Sequence, residues 1–232
     1  MKFDPPLLPG KFVRRYKRFF ADIELDSGEL VVAHCPNTGS MKTCLEPGSP
    51  AWVSPSDNPK RKLKFTWEIA QVGTAKIYVN PVAANAVVVE GIERGVVTEL
   101  SGYSELKREV KYGQNSRIDV VLSSGKKRCY VEVKNVTLDV GGQRTTFPDS
   151  VSVRATKHVE ELIRVKQSGD RAVLLFCVSR SNAISVGPAD DIDPVYGEAL
   201  RRAAKQGVEL LAYRVSITPK RVLLQKSIPV IL

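Results

Sequence analysis

Apolar residues in the first eighty positions come in short runs alternating with polar ones, and turn formers interrupt each run before it reaches helical length. Alternation with a period of two marks a half-buried strand. The pattern predicts strands over 11–25, 29–34, 51–55, 64–72 and 75–79. Asp26-Ser27-Gly28 and Val72-Gly73-Thr74 are compact turn signals, while Pro47-Gly48-Ser49-Pro50 and the prolines at 55 and 59 break anything longer. This density of short strands predicts a small barrel. An oligonucleotide-binding barrel is the leading form, and a generic small β module is the alternative.

The period changes after Pro81. Small and apolar residues recur at helical spacing over 83–94, with Asn85 near the start and Gly95 as the stop. Strand-like runs follow at 106–112, 117–122 and 128–136. Then come a helix over 155–166, a nearly continuous apolar strand over 171–178 and a helix over 193–206. Two further runs, 208–215 and 221–225, extend the sheet. This order predicts a mixed sheet flanked by helices, and it divides the chain into a β domain at 1–80 and an α/β domain at 81–232.

The chain has 232 residues, 43% of them apolar, enough for a sizeable core. Its formal net charge of +10 favours a polyanionic partner. The excess is spread along the chain, so a folded surface with positive patches is expected rather than a basic tail. Cys35, Cys44, Cys129 and Cys177 show no paired metal spacing, and two histidines are too few for a closed zinc site. Cys129 and Cys177 fall in predicted strands and read as buried hydrophobes. The start has no apolar run of signal-peptide length, and no segment approaches the roughly 20 apolar residues that span a bilayer. The expectation is a cytoplasmic protein with no membrane contact.

Candidate chemistry concentrates between Asp119 and Lys134. Asp119 lies near the start of one predicted strand, a polar turn follows, and Glu132-Val133-Lys134 sits inside the next. Glu132 and Lys134 share a strand face, and the hairpin brings Asp119 beside them. Two carboxylates and an ammonium at a sheet suit a divalent ion, Mg²⁺ or Mn²⁺, held against a phosphate. In that reading Asp119 and Glu132 are metal ligands and Lys134 steadies a water or offsets charge on phosphorus. The alternative is an ordinary ion pair on a wet strand. Glu90 or Glu109 is the candidate further ligand. Asn115 and Arg117 precede the Asp119 strand and are placed to contact a phosphate. On the helix over 155–166, Lys157 or His158 has either a phosphate or active-site role or a helix-surface one.

A second concentration is Arg14-Arg15-Tyr16-Lys17-Arg18-Phe19-Phe20, four cations among three aromatics. Cations contact phosphates and Tyr16 can stack on a base, although the phenylalanines also suit a core. On one straight strand Arg14, Tyr16 and Arg18 share a face and Arg15, Lys17 and Phe19 share the other. Asn37, in the turn after the next strand, is a candidate for sugar or phosphate contact. Lys60 and Arg61 add a further positive cluster, with Trp67 beyond it as a core candidate.

These segments together resemble the sugar fermentation stimulation protein family. The resemblance runs through Arg15-Tyr-Lys-Arg18-Phe, His34-x-Pro-Asn-Thr-Gly-Ser-Met41, Asn58-Pro-x-Arg61-Lys and Asn115-Ser-Arg-Ile-Asp119. It continues through Cys129-Tyr-x-Glu132-Val-Lys-Asn-Val-Thr-Leu138, Phe147-Pro-Asp149, Lys157-His158 and Ile192-Asp-Pro194, in order over nearly the whole chain. The resemblance implies an N-terminal OB-like barrel, a restriction-endonuclease-like mixed α/β/α domain, and DNA binding with little sequence preference. Asp119, Glu132 and Lys134 look like that nuclease superfamily's Asp…Glu-x-Lys signature, although Ile118 stands where the signature has Pro. A non-catalytic DNA-binding regulator that retains the nuclease fold is the alternative. A metabolic enzyme or scaffold with incidental basicity is a third account. A homodimer is compatible with the sequence but has no marker in it.

Overall fold

The computed structural model describes residues 1–112 and 117–232, together with the backbone of Ser116. Asn115 therefore lies outside the described residues. The strands β1 (Leu8–Tyr16), β2 (Phe20–Leu25), β3 (Leu30–His34), β4 (Pro50–Pro55), β5 (Phe65–Val72) and β6 (Ala75–Tyr78) form one sheet in the order β3-β2-β1-β4-β5-β6. Parallel pairing of Ala33 with Phe65 and His34 with Thr66 joins β3 to β5 and closes the first five strands into an OB barrel. Its core includes Phe12, Ile23, Val31, Val53 and Trp67. Trp67 is fully buried and stacks on Phe12 with ring centroids 4.9 Å apart.

The single strand expected over 11–25 is a hairpin. Lys17 and Arg18 turn the chain at φ 47° and 62°, and Tyr16 pairs with Phe20. Left-handed backbone at two consecutive side-chain-bearing residues is uncommon. Here Arg15 supports it by donating from Nε and Nη2 to the Arg18 carbonyl at 3.2 and 3.0 Å. The turn replaces the straight-strand alternation of charge expected for this run. Phe12 enters the core, whereas Phe19 is exposed.

The second part begins with α1 (Ala84–Glu93), β7 (Glu105–Tyr112), β8 (Ser116–Ser124), β9 (Lys127–Val136), β10 (Leu138–Asp139) and β11 (Arg144–Phe147). It continues with α2 (Val153–Gln167), β12 (Arg171–Val178), β13 (Ser185–Pro188), α3 (Pro194–Lys205), β14 (Glu209–Thr218) and β15 (Arg221–Ser227). A mixed sheet runs β15-β14-β12-β9-β8-β7, with β9, β12 and β14 parallel. One face packs on Val87 and Val88 of α1, and the other on α2 and α3 through Val159, Leu162 and Leu200. The result is a three-layer α/β/α domain. The short strands β10, β11 and β13 make a separate small sheet beside it. Among the described residues no helix is long and apolar enough to cross a membrane.

The two parts are hydrogen-bonded to each other. Tyr78 N donates to the Ser179 carbonyl at 2.9 Å, and Arg180 Nη1 donates to the Thr43 carbonyl at 3.2 Å.

Candidate active site

Strand alternation explains where the charged side chains of β9 go. Val131 and Val133 pack in the cluster beneath α1, so Glu132 and Lys134 must face α2. Parallel pairing of Glu132 with Leu174 and Lys134 with Phe176, both in the α2-side core, places them at the sheet centre. The β8–β9 ladder ends at the Val120–Val131 pair. Ile118 belongs to the α2-side core and Val120 to the α1-side core, so the alternation breaks at Asp119. Where the strands part, the Val133 N–H is no longer used by the ladder, and Asp119 Oδ2 accepts it at 2.7 Å. Asp119 Oδ1 accepts from Asn85 Nδ2 of α1 at 2.8 Å.

Glu132 is almost wholly buried. Its Oε1 accepts from Lys134 Nζ at 2.6 Å and contacts Nδ1 of His158. Nδ1 of His158 also lies 3.1 Å from Lys134 Nζ, and its Nε2 lies 3.5 Å from Arg154 Nε, so the ring is held from both sides. Glu132 Oε2 is buried and has no hydrogen-bond partner among the described residues.

The two carboxyls are pushed in opposite directions. Burial, then the nearby Glu132 charge, raises Asp119 to about 6, against the opposing pull of Val133 N–H, Lys134 and Asn85. Burial also disfavours ionised Glu132, but the His158 hydrogen bond and the Lys134 charge outweigh it and hold that carboxyl below its usual range. A cleft of about 450 Å³ exposes this group, with Asn85, Asp119, Glu132, Lys134, Arg154 and His158 in its wall.

The donor set suits a hard divalent cation that keeps most of its water. It offers the Asp119 carboxylate and the unpartnered Glu132 oxygen. Among the described residues no group of three or more His, Cys, Asp or Glu side chains converges as a ready-made cage.

The other candidates are placed as follows. Glu90, on α1, pairs with the Met1 ammonium and with Arg94, and is absent from the cleft wall. Glu109 falls between the Arg108–Val120 and Val110–Ile118 pairs, but its backbone turns to φ 53° and its side chain is exposed. Neither is brought to Asp119 and Glu132. Arg117 is exposed on β8, and Lys157 is exposed on α2 while its neighbour His158 turns inward to Glu132. Asn85, Arg154 and Asn135 join the wall without having been singled out for it. Their only sequence signal was proximity to predicted helix starts and to Lys134.

On the barrel, Arg14 Nε donates to the buried Asp22 carboxylate at 2.7 Å and lies over the Tyr16 ring, which stacks on Phe20. Arg15 is half-buried and its guanidinium is engaged by carbonyls of the protein itself. It also donates to the carbonyls of Asn37, Gly39 and Ser40 at 2.8, 3.0 and 3.3 Å. Asn37 is buried and its Oδ1 accepts from Gly39 N at 2.9 Å, so it shapes its own loop. Arg61 donates to Thr66 Oγ1 at 2.8 Å, while Lys60 is exposed. Arg18 is exposed at the hairpin tip.

The model of the sugar fermentation stimulation protein RE domain matches residues 82–221, and that of the SfsA N-terminal OB domain matches residues 13–80. A sugar fermentation stimulation protein homolog of Geotalea uraniireducens is 53% identical over 220 residues, 95% of either chain. One of Teredinibacter turnerae is 52% identical over 234 residues, covering both chains completely. A solved structure of Pyrococcus furiosus SfsA in complex with Ca²⁺ superposes with a TM-score of 0.89 at 26% identity, covering 100% of this chain and 98% of that one.

Proposed function

This chain belongs to the sugar fermentation stimulation protein family, and on that premise we propose that it is a DNA-binding protein that hydrolyses phosphodiesters with a divalent metal. Residues 1–80 hold the nucleic acid, with little sequence preference, and residues 81–232 carry the chemistry. The observation that carries this reading is the meeting of Asp119, Glu132 and Lys134 where β8 and β9 part at the floor of a cleft. A related protein was solved with Ca²⁺, and Mg²⁺ or Mn²⁺ is the cation proposed here.

Asp119 and the free oxygen of Glu132 would hold the ion. When bound, it polarises a phosphate oxygen and acidifies a water. The protein's own contribution is preorganisation. Val133 N–H and Asn85 fix the Asp119 carboxylate, and Lys134 offers an ammonium for charge developing at phosphorus. His158 fixes Glu132 from the helix side.

The test is cleavage of single-stranded, duplex and branched DNA and of RNA in Mg²⁺ or Mn²⁺. Wild type is compared with Asp119→Ala, Glu132→Ala and Lys134→Ala. The proposal expects cleavage by wild type and its loss in all three variants; no cleavage, or equal cleavage by all four proteins, defeats it. One observation favours a non-catalytic DNA-binding regulator instead. Glu132 Oε1 is already engaged by both Lys134 and His158, and in that account the trio is a structural plug.

A further inference from the structure

A second cleft, of about 500 Å³, lies where the barrel meets the nuclease-like domain. Arg18 and Thr38 of the barrel line it, as do Asn135, Phe147, Ser152 and Arg154 of the second domain. The last four also line the cleft of Asp119 and Glu132, so the two spaces adjoin across a shared wall. Strand β9 links them directly. One residue, Val133, separates buried Glu132 from Lys134, and the chain then runs through Asn135 to Leu138 along the second space.

We propose that this joint is a subsite for one unpaired nucleotide of a DNA strand, adjoining the phosphate handled at Asp119 and Glu132; it rests on reading that cleft as a phosphodiester site. The volume is that of a site for one small molecule and is far too small for a base pair with both backbones. A strand reaching the acidic cleft by this route has to be single or locally opened.

The walls offer two arginines and hydrogen-bonding groups to an anionic guest, and the one carboxylate among them, Asp149, is engaged by Met41 N and Ser40 Oγ. Each domain supplies one arginine. Among the described residues the Arg18 guanidinium makes no ion pair or side-chain hydrogen bond, and Arg154 reaches back to His158 of the acidic site. Thr146 Oγ1, also in the wall, is buried and finds no partner among the described residues. Phe147 is half-buried, packed edge-on against Tyr196, and gives the space its aromatic side.

The barrel wall is also held rigidly. The bonds from Arg15 fasten the Lys17–Arg18 turn to the 37–40 loop. Asp149 then ties that loop to the second domain by accepting from Met41 N at 3.3 Å and Ser40 Oγ at 3.4 Å. A Cβ on Gly39 would stand 2.3 Å from the Asp149 carboxylate, so the close approach depends on glycine. Preorganised walls lower the ordering cost of binding.

The experiment measures binding of fluorescein-labelled oligothymidylate and of a blunt duplex of equal length, in Ca²⁺ and in EDTA, by anisotropy. Thr38→Trp fills the space from the exposed barrel side, and Arg18→Ala removes its free cation. The proposal expects wild type to prefer the single strand by about tenfold or more, the scale of one base contact. It expects Thr38→Trp to abolish the preference and Arg18→Ala to reduce it about threefold, with thermal midpoints unchanged. A 2-aminopurine opposite an abasic site should brighten on binding wild type and not Thr38→Trp.

Equal affinity of wild type for both DNAs, or undiminished preference in a folded Thr38→Trp protein, overturns the subsite. If Thr38→Trp does not fold, an undiminished preference in Arg18→Ala does so. Asp119→Asn separates the two claims, because it should lose metal-dependent cleavage yet keep the single-strand preference. Loss of the subsite with cleavage still dependent on Asp119 would leave the nuclease reading standing.

Discussion

Replacing Asp119 with asparagine should make the metal-free protein more stable at neutral pH. Asp119 is raised from an ordinary value of 3.8 to about 6, by burial first and the Glu132 charge second. At 1.36 kcal/mol per pH unit, ionising it costs the fold about 3 kcal/mol. The folded state holds this proton more tightly than the unfolded chain does. The contribution therefore favours folding below the unfolded value and is lost as pH rises from about 4 to about 6. At pH 7 the whole penalty is present, and an amide escapes it. An amide can still accept from Val133 N–H, but its own N–H₂ confronts Asn85 until that side chain flips. Allowing for this, the expected net gain is about 1–3 kcal/mol at pH 7, shrinking towards zero or reversing at pH 4. Urea denaturation in EDTA at both pH values measures it. A variant equal to or less stable than wild type at pH 7, or a difference that does not shrink in acid, refutes the reasoning. A gain in stability from losing a carboxylate is the mark of a group retained for function.

The same logic predicts that Mn²⁺ raises the thermal midpoint of wild type, by an amount equivalent to about 2.7 kcal/mol at a hundred times its dissociation constant; Asp119→Asn should show little of this in a thermal scan. Asp193 accepts from Tyr196 N at 3.0 Å to cap α3 and from Ser152 N at 2.8 Å before α2. Asp193→Ala should cost about 2–4 kcal/mol by denaturant titration, since both donors lose a buried carboxylate. A Cβ on Gly91 of α1 would meet Leu224 Cδ2 and Cβ of β15 at 2.7 and 2.9 Å. Gly91→Ala should therefore destabilise by about 1 kcal/mol despite its better helix propensity, and a stabilised variant would show that β15 yields. Arg15→Ala should lower stability by about 1–2 kcal/mol through its lost carbonyl contacts, whereas Arg18→Ala should leave stability alone and reduce the salt slope of DNA binding by about 0.9. Equal behaviour of the two in melting and salt-titration curves contradicts this division.

Much of the fold was legible because its period is strong. The β12 run shows as an uninterrupted apolar stretch because both faces of that strand are covered, by α1 on one side and α2 and α3 on the other. The hairpin from Asp119 to Lys134 was legible for a related reason, since charged residues at alternate positions of a buried strand need a purpose. The Lys17–Arg18 turn was not, because its residues are poor turn formers and the support comes from Arg15 bonding back to the loop. Strands β10, β11 and β13 are too short, and β13 too rich in glycine and proline, for alternation to register. Asn85 and His158 join the site across 34 and 26 residues of chain, through the packing of α1 and α2 on opposite faces of the sheet. Local pattern holds no record of such contacts. Arg15 and Arg18 are near neighbours of the same type in sequence, and only tertiary structure separates the internal strut from the exposed cation.

The most direct test of the central claim is single-turnover cleavage of end-labelled DNA in Mn²⁺, with EDTA as control, by wild type and Lys134→Ala. Metal and DNA binding are followed on the same samples. The account predicts metal-dependent cleavage by wild type, and a Lys134→Ala protein that still binds Mn²⁺ and DNA while losing about a hundredfold or more in rate, the scale of one preorganised charge at a reacting centre. Unchanged cleavage by Lys134→Ala, or a wild type that binds both ligands and never cuts, would contradict it.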